Sequence, residues 1–187
     1  MTTDPQLIPN DQIEILRPLI GARLLSYGTS HLLNGTRTAI GEAFFATDAS
    51  GVVRLTSEMR SYSINGILED FAAVSVHRGN ESLVDVASKG GGTFYDFSNS
   101  IITNLGIIRT EFSREVSGRP KVLCMVDLGL LIVTEVGRVA IFNGSIWVNE
   151  FDLEALRADS ELSAPEGFAS ELGDVWESAT TCIMIGR

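Results

Sequence analysis

Through most of the chain, hydrophobic and polar positions alternate in short runs, and turn residues separate the runs. Alternation with period two predicts strands, because successive side chains point to opposite faces of a sheet. The pattern predicts strands over residues 23–27, 36–47, 52–56, 61–64 and 71–77, punctuated by Asn34-Gly35, Asp48 to Gly51 and Asn65-Gly66. An aromatic extended piece follows at 94–97. Residues 101–112 read as one bent strand or two, with a break near 104–106. Four short strands are then predicted over 121–127, 130–135, 138–142 and 145–148, separated by Gly129, Gly137 and Asn143-Gly144. The expected core includes Leu24, Phe44, Val53, Leu55, Val74, Val76, Ile108, Leu123, Met125, Leu131, Val133, Ile141 and Trp147.

Helical spacing is confined to the ends. Asn10 or Asp11 caps a predicted short helix reaching Leu16, and Pro18 stops it. After Val148 the texture changes. Phe151, Leu153 and Leu156 predict a helix over 150–158, and Phe168, Leu172, Val175 and Trp176 a second over 168–176. A terminal strand is predicted over 181–185. Residues 80–89 suit either state. The fold class expected is therefore α+β: a mainly antiparallel β-meander or sandwich with short helices at the N-terminus and after residue 150. The organisation expected is one domain over 1–187, with a lead-in and short helix at 1–21, a β-rich body at 22–149 and an acidic helical region at 150–187.

Two stretches resemble each other, residues 44–56 and 123–134. Each is an apolar run, an Asp, a Gly a few residues on, and a second apolar run closing on Thr. The likeness has two readings. It is how hairpins are commonly written, with Asp and Gly at turns, or it marks two similar β units.

Composition fits a folded globular chain: of 187 residues, 44% are hydrophobic and 20% charged. The net charge is −10, from 14 basic and 24 acidic residues. That balance disfavours a nucleic-acid binder, which needs a basic surface to neutralise phosphates. No apolar run approaches the roughly 18 residues of a transmembrane helix, so no membrane partner is expected. Met1 to Gln6 show no basic then apolar leader, and a cytoplasmic location is expected. Cys124 and Cys182 are expected to be free thiols, Cys124 a small buried hydrophobe.

Catalytic chemistry is sparse. Gly90-Gly91-Gly92 has neither the Walker nor the dinucleotide-binding spacing, and no G-x-S-x-G elbow occurs. Asp48 and Asp127 read as turn-capping residues. No catalytic residue, cofactor or metal ligand is assigned. His31 and His77 are the only histidines, and the one enzymatic alternative is a small hydrolase pairing one of them with a carboxylate.

The charge is uneven. Residues 150–187 hold nine acidic and two basic residues. Acids interspersed with aromatics suit a basic protein partner, since complementary potential speeds encounter and aromatics anchor contacts. Residue by residue, they suit better an amphipathic helical cover, with aromatics packed on the sheet and acids keeping the outer face solvated. The expected function is a non-enzymatic protein-interaction module, an acidic inhibitor or immunity-type protein that occludes a basic partner. Its contact residues would be Glu150, Asp152, Glu154, Asp159, Glu161 and Trp176. The alternative is a structural subunit that self-associates in a larger assembly, for example a phage particle.

Overall fold

A computed structural model describes residues 7–33, 36–49, 51–64, 67–79, 92–115, 122–144, 150–156 and 175–186. Helix α1 (Asn10–Leu16) follows Pro9, whose fixed φ suits a helix start, and runs into a 3-10 turn at Arg17–Leu19 that contains Pro18. Ten strands follow among the described residues: β1 (Arg23–Thr29), β2 (Thr38–Ile40), β3 (Glu42–Thr47), β4 (Gly51–Ile64), β5 (Ile67–Arg78), β6 (Thr93–Glu115), β7 (Val122–Thr134), β8 (Arg138–Asn143), β9 (Glu150–Leu156) and β10 (Val175–Ile185). Every pairing is antiparallel. The mainly antiparallel fold with a short N-terminal helix is as the patterning predicts.

The 23-residue β6 organises the sheet. Its first half pairs β1, beyond which lie β3, β4 and β5. Its second half pairs β7, beyond which lie β8, β9 and β2, and on its opposite edge β10. Ile102 marks the changeover: it exchanges backbone hydrogen bonds with Gly21 and Ala22 on one side and faces Thr134 on the other. From Leu105 onward, β10 occupies the edge that β1 has left. Register slips between Ile102 and Asn104, and again between Ile108 and Arg109, let so long a strand bend.

Both halves of the sheet turn their apolar faces to one core. Leu24, Phe45, Val53, Leu55 and Val76 come from one half, and Leu105, Leu130, Ile132, Ile141 and Phe151 from the other. Ile8, Leu16 and Leu19 close it from the N-terminal segment. Burying each such side chain stabilises the fold by roughly 1.5–3 kcal/mol. A second cluster lies on the other face of β6, β7 and β8, with Ile108, Phe112, Val126 and Phe142 joined by Phe71 of β5. Of the expected core, Met125 and Val133 are only partly buried. The Leu123 side chain and Trp147 lie outside the described residues.

Three expectations are corrected. Residues 150–156 form strand β9, not a helix. Its apolar side chains, Phe151 and Leu153, are two apart and fully buried, which is strand periodicity; Glu, Ala and Leu are helix formers, but pairing to β8 overrides propensity. Most of the predicted helix over 168–176 lies outside the described residues, yet Val175 and Trp176 already belong to β10. Thus no described residue after 150 is helical, and the described parts of the C-terminal region are β-strands.

The third correction concerns the likeness between 44–56 and 123–134. The first stretch is the β3–β4 hairpin, turning at Asp48 to Gly51, where Gly51 takes φ +72°. The second stretch lies within β7. The predicted strands at 121–127 and 130–135 are therefore one strand. Two meanders do flank β6, β3–β4–β5 and β7–β8–β9, but the sequence likeness does not map onto them. The predicted strand at 145–148 and the segment 80–89 lie outside the described residues.

Candidate functional site

Strand β9 aims Glu150, Asp152 and Glu154 away from the main core, because Phe151 and Leu153 between them point into it. Alternate residues on a strand lie about 6.6 Å apart, so the three carboxylates form a row. Across the ladder on β2, Glu150 faces Ile40 and Asp152 faces Thr38; on β8, Asp152 faces Phe142 and Glu154 faces Ala140. The Thr38 hydroxyl donates to Asp152 Oδ1 at 3.0 Å, which fixes that carboxylate. No cation among the described residues forms an ion pair with the row. Ile40 stands beside it, 41% exposed.

Partial burial pushes the Glu154 carboxyl above the ordinary carboxylate range, and the Asp152 charge adds to the shift. A raised folded-state value means that the native chain binds this proton more tightly than the unfolded chain. Stability contributed by Glu154 therefore falls as pH rises through the window from the ordinary value to the raised one. Glu154→Gln is expected to raise Tm at neutral pH by no more than about 2 °C, with the gain fading in acid. Thermal melts of both proteins across pH 4 to 7 check this; a variant less stable at neutral pH than in acid, relative to the parent, contradicts it.

The other expected contact residues do not join the row within the described structure. Asp159 and Glu161 lie outside the described residues. Trp176 is in β10, opposite Arg114 of β6. Four strand spacings separate β9 from β10 in the order β9-β8-β7-β6-β10, roughly 19 Å measured along the sheet. Closeness in sequence suggested one patch, and the topology separates its ends.

His31 and His77 are both exposed. His77 Nε2 lies 3.2 Å from Thr56 Oγ1, and no carboxylate among the described residues bonds either ring. On that half of the sheet the Glu42 carboxylate is committed elsewhere: it accepts from the Ser30 hydroxyl and pairs with Arg54 at 2.8 Å. Among the described residues, no group of His, Cys, Asp and Glu is arranged to hold a metal ion. No helix among them is long and apolar enough to cross a membrane.

Sequence reasoning missed Asp127. Read as a turn residue, it is instead completely buried in β7. Its carboxylate accepts from Arg109 Nε at 2.7 Å and Nη2 at 3.1 Å, and from the Ile8 backbone N–H at 2.8 Å. The bulge that slips the register between Ile108 and Arg109 brings Arg109 opposite Asp127. The available signal was an acid within an apolar run: a buried carboxylate demands a cationic partner. This group ties the N-terminal segment to the sheet and is structural.

Compared with family models, curated proteins and solved structures, the chain matches none.

Proposed function

We propose that this chain is a non-enzymatic protein-interaction module of the cytoplasm, an acidic inhibitor or immunity-type protein in which the outward-facing row of strand β9 occludes a basic partner. The supporting observation is the row Glu150, Asp152 and Glu154: three carboxylates held on a rigid strand, without a described counter-ion, beside exposed Ile40. A net charge of −10 attracts a basic protein from a distance, and the row then meets its Lys and Arg side chains at strand spacing. Ile40 adds an apolar contact that salt does not screen. The partner is blocked by occupancy, with no covalent step.

Amide replacements keep the shape and the Thr38 hydrogen bond while removing charge. The tagged chain is first used to isolate a stoichiometric basic protein from source lysate at low salt. Against that purified partner, the combined Glu150→Gln, Asp152→Asn and Glu154→Gln variant is expected to associate at least about tenfold more slowly, and added salt is expected to erase the difference. Unchanged association kinetics at low salt would sink the proposal, as would the capture of no basic protein.

A further inference from the structure

On the far side of the same sheet, strand β10 has an edge that no other described strand pairs. Among the described residues it pairs only with β6, over all eleven of its positions. Thr181, Cys182, Ile183 and Met184 are consecutive and all exposed, Ile183 by 41% and Met184 by 44%. Consecutive strand residues point to opposite faces. Both faces of this stretch are therefore open to solvent. Gly186 is held in place, its carbonyl accepting from Arg17 Nη1 at 2.6 Å, so the end of the strand is anchored rather than frayed.

Exposed edges are ordinarily blunted by charge, proline, bulges or shortness. The other two edges follow that rule. Strand β2 has three residues, and β5 carries Glu69, Asp70, His77 and Arg78. Strand β10 carries Glu177, but Ala179 to Ile185 contain no charged residue and no proline, and the β10–β6 ladder runs without a register slip. This uncharged stretch lies in a chain of net charge −10, within a C-terminal region where acids outnumber basic residues nine to two.

We infer that β10 pairs antiparallel with β10 of a second copy of this chain. An antiparallel strand edge is complementary to itself about a two-fold axis, so one unprotected edge suffices for a closed dimer. Charge selects the occupant. Two copies of so acidic a chain repel each other through most of their surfaces, and the Ala179 to Ile185 edge brings no carboxylates face to face. A basic partner has no counter-charge to find there. Pairing would continue the six strands from β2 to β10 into the six of the second copy, and cover Ile183 and Met184 with their counterparts. It would also give a subunit of a larger assembly its contact. The inference stands independently of the acidic row on β9.

The two surfaces respond to salt with opposite sign. Binding of a basic protein weakens as salt rises, whereas pairing of like-charged copies strengthens. Sedimentation equilibrium of the full chain is expected to give a particle of twice the 20.2 kDa chain mass, with tighter association in about 0.5 M salt than at low salt. Ile183→Lys, at an exposed position, is expected to weaken dimerisation at least tenfold by placing like charges on the paired edges. A second measurement uses the unaltered strand. Cys182 is exposed and Cys124 buried, so a spin label attached to the native chain reports from β10. Two labels are expected within roughly 25 Å of each other, since paired strands lie about 5 Å apart. A chain that stays monomeric at about 100 µM, a dimer that tolerates Ile183→Lys, or labels farther apart than this overturns the inference.

Discussion

Replacing Arg109 with alanine is expected to destabilise the protein by about 3–5 kcal/mol, because it strands a buried carboxylate. Asp127 is fully buried and cannot turn to water, and beyond Arg109 the partner identified for it is the Ile8 N–H. For a chain of this size, that loss lowers Tm by roughly 10 °C. The pair is not symmetric. Arg109 retains 20% side-chain exposure, so Asp127→Asn leaves a guanidinium that can reach solvent, together with an amide oxygen that can still accept from Ile8. The expected order is therefore that Arg109→Ala costs more than Asp127→Asn. Replacing both, Arg109→Met with Asp127→Leu, should cost less than Arg109→Ala alone, since no charge is then left buried. Urea unfolding of the four proteins measures the order directly. Equal, small losses for both single variants would show that the pair is solvated and not the buried link described here.

Gly129→Ala is expected to cost at least about 3 kcal/mol, the upper end of the range for overpacking. A Cβ at Gly129 would lie 2.0 Å from the Ile141 carbonyl oxygen and 2.6 Å from the Phe142 Cα. Both are backbone atoms of β8, so no side-chain rotation relieves the clash. Strand β8 must move away from β7, and Ile141 and Phe142 are buried in the two clusters on either face of that strand. By contrast Gly51 has no atom within 4 Å of an added Cβ, and its cost comes only from its φ of +72°. Gly51→Ala is the control, and it should be the milder of the two in urea unfolding. A Gly129→Ala variant as stable as the parent would mean that β7 and β8 are not in the close register found here.

Gly129 also shows where reading the chain in one dimension stops. In sequence, a glycine two or three residues after an aspartate looks like a hairpin turn, and at Asp48 to Gly51 it is one. At Asp127 to Gly129 strand β7 continues through a bulge instead of turning back, because the glycine admits the neighbouring strand's backbone and the aspartate answers Arg109. Turn chemistry and close-approach chemistry use the same two residue types, and only the partner strand distinguishes them. A similar ambiguity affected residues 150–156. Glu, Leu and Ala favour helix in isolation, while the buried Phe151 and Leu153 have the two-residue period of the strand they form.

The sequence by itself determined that the chain is mainly antiparallel strand after a short N-terminal helix, since period-two alternation and turn residues are local; that the described residues after 150 are strand and not helix was decided only by the pairing of β9 and β10. It likewise determined that the C-terminal region is acidic and that Cys124 is buried among apolar neighbours. The tertiary structure decided which acids share a surface. Glu150, Asp152 and Glu154 share one because the strand turns alternate residues outward, whereas Trp176 is carried to the opposite edge by the strand order. It decided that Asp127 is a buried link, that Gly129 is a contact, and that Ala179 to Ile185 form an uncharged edge that no other described strand pairs. Each of these depends on which strand lies beside which. Strand neighbours are set by pairings between residues far apart in the chain, and local pattern carries no record of them.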